Sequence, residues 1–349
     1  MTTVPPAEFA LPGGAATGVG SMPGENFAET TRIVRGELPD LLHLPELPAR
    51  GVIAGITGRS LALLVDLGAD LQPAGWRLTD APGVDHRRAR SLLAQDLDVF
   101  EEETQGYVGP VKVQACGPWT LAATVERPRG DRLLADRGAR RDLAQSLAEG
   151  VRGHVEDVRR RLPDSPVIVQ LDEPSLVAVL DGAVPTASGF HRHRSVDTPA
   201  ASEALGWVVD GVTAAGAYPI VHCCDVRAPV PLLRSAGAQG LSIDARLIDR
   251  TQFETYAEAV DAGITLWLGL VPAVEPAEPT GAGAETTDAD LTRRALQLWR
   301  ALGFAEETMA QHCVITPTCG LAGASPPWAM RALQLARTVA GNVGDAGQD

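Results

Sequence analysis

Residues 140–176 read RRDLAQSLAEGVRGHVEDVRRRLPDSPVIVQLDEPSL, and the fold is decided there. Leu143, Leu147, Val151, Val155, Val158 and Leu162 recur three or four residues apart, which draws one apolar stripe along a helix over 140–162. VIVQLDEPSL (167–176) follows at once, a β-branched run that ends in charge and proline. A helix that delivers the chain straight into a buried strand is the unit of a parallel sheet with helical crossovers.

The unit repeats downstream. ASEALGWVVDGVTAAGA (201–217) reads as helix and PIVHCCD (219–225) as strand. PVPLLRSAGA precedes the strand GLSID (240–244), FETYAEAVDAG precedes TLWLGLVPA (265–273), and DLTRRALQLWRALG precedes CVITPTCG (313–320). Upstream, GAATGVGS (14–21), LLHLPEL (41–47) and VKVQACGP (111–118) supply three more strand candidates. Eight strands separated mostly by helices predict a (β/α)8 TIM barrel with insertions, in preference to an open doubly wound sheet. In such a barrel the site forms where strands end. Ser21, Asp172, Glu173, His222, Cys224, Asp244 and Cys319 stand at those ends.

Composition agrees with a globular chain: 349 residues, 45% hydrophobic, 21% charged and 4% aromatic. The net charge of −14, from 44 acidic and 30 basic residues with Lys112 as the sole lysine, repels a phosphate backbone and argues against nucleic-acid and anionic-membrane partners. No run reaches the ~18 apolar residues of a membrane span. The start, MTTVPPAEFA, lacks the order of a signal peptide. Five cysteines are too few for a disulfide scaffold, so a reducing, cytoplasmic setting is expected. The reading is a single catalytic barrel over 13–340, with disordered ends at 1–12 and 341–349. The Pro/Gly/Ala/Glu-rich stretch 271–290 is expected to be either a lid over the site or a disordered insertion.

Several side chains have chemistry to offer. Residues two apart on a strand face the same way, so His222 and Cys224 present an imidazole and a thiolate together, a pair that suits zinc but needs further ligands. Cys223 points the other way and is expected in the core, as is Cys313 at the start of its strand. Cys319 closes TPTCGLAG between Pro317 and Gly320, and Asp244 closes GLSID, so both stand where the backbone turns. GVGSMPG (18–24) is no dinucleotide loop, because Pro23 occupies the helix start, but Ser21 and the backbone N–H groups beside it suit a carboxylate. Asp172 and Glu173, adjacent on a strand, face opposite sides: one looks into the barrel mouth and suits an ammonium, the other anchors a loop. His191 and His193 have metal-like spacing but lie in an Arg-rich loop.

Taken together, these pieces resemble the cobalamin-independent methionine synthase family, in particular its C-terminal catalytic barrel. GVGSMPG, QLDEP, IVHCCD, LSID and ITPTCGL occur in the family's order through nearly the whole chain. GPWTLA (117–122) also resembles a segment of the wider superfamily that includes uroporphyrinogen decarboxylase. The resemblance implies a zinc-dependent methyltransferase that forms methionine from homocysteine. It implies that His222, Cys224 and Cys319 ligate Zn2+, with Asp244 where the family has a glutamate ligand. Val19, Gly20 and Ser21 would hold the carboxylate of the amino acid, and Asp172 its ammonium.

Two departures bear on the methyl donor. Full-length members carry a further N-terminal barrel that helps to bind folate, and the family's histidine-bearing strand reads LWLGLVPAVEP here, without histidine. The thiol half of the reaction is thus better supported than the folate half, and the donor is methyltetrahydrofolate or a methylated corrinoid protein. The rival readings are a zinc-dependent alkyltransferase acting on another small thiol such as coenzyme M, a metal-free decarboxylase of the uroporphyrinogen type, and a non-catalytic zinc-binding protein.

Overall fold

The computed structural model describes residues 11–276 and 287–346. Among them nine strands form: β1 Leu42–His43, β2 Gly68–Gln72, β3 Gly75–Thr79, β4 Val111–Cys116, β5 Val167–Asp172, β6 Tyr218–His222, β7 Gly240–Asp244, β8 Thr265–Val271 and β9 Cys313–Pro317. Seven of them, β1 and β4 to β9, lie side by side in chain order, and every pair is parallel. The strands β2 and β3 form a separate antiparallel hairpin with no counterpart in the sequence reading.

The deciding helix runs Arg137–Arg161, and all six residues of its stripe are buried. Each contributes roughly 1.5–3 kcal/mol of transfer free energy. Asp136 caps its start by accepting from the Ala139 N–H, and three arginines in the last turn complement the helix dipole. On β5, Val167, Val169 and Leu171 join the main core, while Ile168 points to the other face of the sheet. There Ile168 packs with Ala15, Leu41, Ile220, Trp267 and Val314 in a second apolar cluster. Burial on both faces explains why these strands read as unbroken hydrophobic runs rather than alternations. Two residues beyond Ile168 and Ile220 on the same face come Gln170 and His222, so this face turns from apolar to polar as the strands approach their ends.

Several boundaries need correction. Of the eight strands expected, GAATGVGS forms no extended strand. It makes isolated parallel bridges, Ala16 to Ile315 of β9 and Ser21 to Glu46 just beyond β1. Its glycines have little β-propensity and no side chain to pack. One short segment nonetheless touches both edges of the seven-stranded sheet. The 219–225 strand ends at His222, which leaves Cys223 and Cys224 past its end. The last helix, Pro326–Asp345, passes the expected boundary at 340, because Val339, Ala340 and Val343 carry its buried stripe into the expected tail. Of the expected lid or insertion over 271–290, residues 277–286 lie outside the described residues. No helix among the described residues is long and apolar enough to cross a membrane.

Candidate metal centre

Two strand ends place three ligand atoms together. His222 ends β6, Cys224 follows two residues later, and Cys319 follows β9. Their ligand atoms all lie within 4.8 Å of one another. The Cys224 and Cys319 sulfurs are 3.9 Å apart, and the Cys319 sulfur is 4.0 Å from His222 Nε2. Two sulfurs on a tetrahedral zinc ion, each about 2.3 Å from it, stand about 3.8 Å apart. The spacing and the donor set, one imidazole and two thiols, therefore fit zinc.

The surroundings prepare these atoms. His222 is buried, and its Nδ1 is hydrogen-bonded at 2.9 Å to Ser242 Oγ, its neighbour in register on β7. With Nδ1 donating to that hydroxyl, Nε2 keeps its lone pair for a metal. The Cys224 thiol and then His222 hold the Cys319 sulfur down at about 4, whereas its hydrogen bond to Cys319 together with burial pushes Cys224 far up. A thiolate is thus already favoured at this spot.

Asp244 is not drawn into the group. Its carboxylate accepts from the Arg246 N–H at 3.0 Å, from Arg246 Nε at 2.9 Å and from Nη2 at 2.7 Å. The Asp244 carboxylate is taken up by its own turn and a bidentate arginine. It does line the same cavity, about 450 Å3 in volume, with Cys224, Arg246, Pro272, Thr318 and Cys319. Cys223 and Cys313 are buried core thiols, as their positions predicted.

The other candidates separate by face. Asp172 stands in register with His222 and accepts from Gln170 Nε2 at 2.7 Å. Burial raises its carboxyl above the usual range. Glu173 points the opposite way. Its carboxylate accepts from the Trp119 N–H at 2.9 Å, the Thr120 N–H at 2.8 Å and the Thr120 hydroxyl at 2.7 Å, and so caps the helix Pro118–Thr124. Gly117 is required there, since a β-carbon would overlap the Glu173 carboxyl. The anchoring role belongs to Glu173 and the inward one to Asp172.

Ser21 meets the Cys319 turn. Its carbonyl accepts from the Leu321 N–H at 2.7 Å, and a β-carbon on Gly320 would overlap its hydroxyl. Beneath it, Val19 offers its carbonyl to Lys112 Nζ and to Gln170 Nε2, both at 2.8 Å. His191 is exposed, whereas His193 is buried with its Nε2 3.3 Å from Asp131 Oδ1. Sequence reasoning missed Ser242, Arg246, Gln170 and the structural use of Lys112. A lone lysine inside the apolar run VKVQAC was the signal for the last.

No protein-family model and no curated protein matches the chain at the level of sequence. Solved structures do. A B12-independent methionine synthase from Shewanella sp. W3-18-1, in complex with selenomethionine, superposes with a TM-score of 0.58 at 13% identity, covering 97% of this chain and 98% of that one. An aldo-keto reductase from Bacillus halodurans gives 0.37 at 11% identity over 94% and 90% of the two chains. A GH10 xylanase from termite gut that contains a bacterial Ig-like domain gives 0.45 at 10% identity over 99% and 80%. At these identities the first likeness is one of fold, and the other two carry no argument.

Proposed function

We propose that the chain is a zinc-dependent methyltransferase that moves a methyl group to the thiol of homocysteine to form methionine. The observation that carries this reading is the convergence of His222 Nε2 with the Cys224 and Cys319 sulfurs at the ends of two strands. In the same reading the segment 15–21 acts as an eighth stave between β9 and β1, completing a (β/α)8 barrel. The end-to-end likeness to a methionine synthase fold supports both parts.

His222, Cys224 and Cys319 would hold the metal. Bound there, zinc supplies the Lewis acidity that removes a thiol proton at neutral pH, where a free thiol of pKa ~8.5 is mostly protonated. The remaining work falls to the chain. The N–H groups and hydroxyl from Val19 to Ser21 take the substrate carboxylate, and Asp172 takes its ammonium. Both sit on a braced framework, so the sulfur is presented in one orientation to the incoming methyl carbon. Asp244 and Arg246 form a wall of the cavity. The five free cysteines suit a reducing compartment such as the cytoplasm. The methyl donor is methyltetrahydrofolate or a methylated corrinoid protein.

Metal analysis of tag-free protein, followed by a methionine-formation assay with each donor in turn, tests the proposal. It predicts stoichiometric zinc and methionine from one of the donors. Protein without zinc would instead support a decarboxylase-like reading, and zinc without any turnover or change on adding homocysteine would support a binding protein.

A further inference from the structure

Beneath the candidate substrate groups lies a buried charge that the proposed chemistry does not use. Lys112, the chain's sole lysine, sits on β4 and is completely buried. Its Nζ donates to the Val19 carbonyl and to Gln170 Oε1, both at 2.8 Å. With the Gln114 amide turned to suit its neighbours, its oxygen accepts from Nζ at 2.9 Å and its nitrogen donates to the Leu44 carbonyl at 3.0 Å. All three ammonium protons are then spent. Gln170 passes the connection on: its Nε2 donates to the Val19 carbonyl at 2.8 Å and to Asp172 Oδ1 at 2.7 Å.

One ammonium therefore ties together two parts of the pocket that lie 151 residues apart, the backbone at Val19 and the strand bearing Gln170. The Lys112–Gln170 pair fixes which way the Gln170 amide faces. Because Lys112 can only donate, Gln170 must offer it oxygen, and the amide nitrogen must then face Asp172 and Val19. The Asp172 oxygen is held by a donor whose orientation is set from below.

We infer that Lys112, acting through Gln170, is a positioning residue for amino-acid recognition: it sets the Asp172 carboxylate and the Val19–Ser21 backbone that would receive the substrate's ammonium and carboxylate. The inference rests on the homocysteine reading and adds to it a division of labour. The lysine governs the amino-acid end of the substrate, and the His222, Cys224 and Cys319 cluster governs the sulfur.

The test uses zinc-loaded full-length protein and calorimetry with two thiols, homocysteine and 2-mercaptoethanol, which lacks both the ammonium and the carboxylate. Lys112→Met and Gln170→Glu are compared with wild type. Gln170→Glu keeps an acceptor for Lys112 while removing the two donated bonds, and it serves if the lysine variant does not fold. Each variant is expected to weaken homocysteine by about tenfold, with 2-mercaptoethanol affinity and zinc content unchanged. Homocysteine affinity equal to wild type in a folded variant would overturn the inference, as would equal weakening of both thiols. Wild-type protein that binds 2-mercaptoethanol as tightly as homocysteine would remove the amino-acid reading itself, and this inference with it.

Discussion

Ser242 Oγ lies 2.9 Å from His222 Nδ1, directly across the β6–β7 ladder. That contact fixes the ring so that Nε2 faces the Cys319 sulfur at 4.0 Å. Removing an orienting partner of this kind lowers metal affinity by roughly 10–100-fold. Ser242→Ala is therefore expected to weaken zinc binding by that factor while leaving the fold intact, as read by competition with a chromophoric chelator.

The proposed ligands should behave differently from their neighbour Asp244. His222→Ala, Cys224→Ser and Cys319→Ser are each expected to abolish stoichiometric zinc retention. Asp244→Ala should retain it, because its carboxylate already serves Arg246. The aspartate variant loses the cap on the Arg246 N–H and costs about 1 kcal/mol in stability. Metal content by mass spectrometry and thermal melting separate the two effects.

Glu173 links pH to stability. Burial raises its carboxyl to about 7, against an ordinary value of 4.5. A carboxyl raised on folding takes up a proton, so its contribution to stability is greatest below the unfolded value and is lost as pH rises towards 7. Wild-type stability should carry that downward component between pH 4.5 and 7, and Glu173→Gln should lack it. Glu173→Ala strands the Trp119 and Thr120 amides and should cost roughly 2–4 kcal/mol. Denaturant melts across this range measure both.

Gly320 makes room for Ser21. Gly320→Ala would press a methyl group into the Ser21 hydroxyl. The expected outcome is retained zinc with a KM for homocysteine raised roughly tenfold to a hundredfold, since small displacements of positioning groups are costly. Steady-state kinetics beside metal analysis give the result.

The parallel sheet was legible because its strands announce themselves as apolar runs delivered by striped helices, and the 140–162 stripe is buried throughout. His222, Cys224 and Cys319 were legible because strand ends in such a sheet converge, whatever their separation in sequence. The opposite facing of Asp172 and Glu173 followed from strand parity alone. The hold of Arg246 on Asp244 was not legible, because it is a local turn contact that spacing does not reveal. The glycine-rich segment at 14–21 was expected as a strand, although its residues pair only at Ala16 and Ser21. The apolar run VKVQAC signalled a buried lysine, but the partners of Lys112 were hidden, since Val19 and Gln170 lie far away in the chain.

The central claim is that His222, Cys224 and Cys319 hold zinc with a position open to the sulfur of homocysteine. X-ray absorption at the zinc edge, recorded before and after adding homocysteine, tests it most directly. The account predicts two sulfur neighbours per zinc becoming three, with a bond of about 2.3 Å. A zinc spectrum that homocysteine leaves unchanged would contradict it.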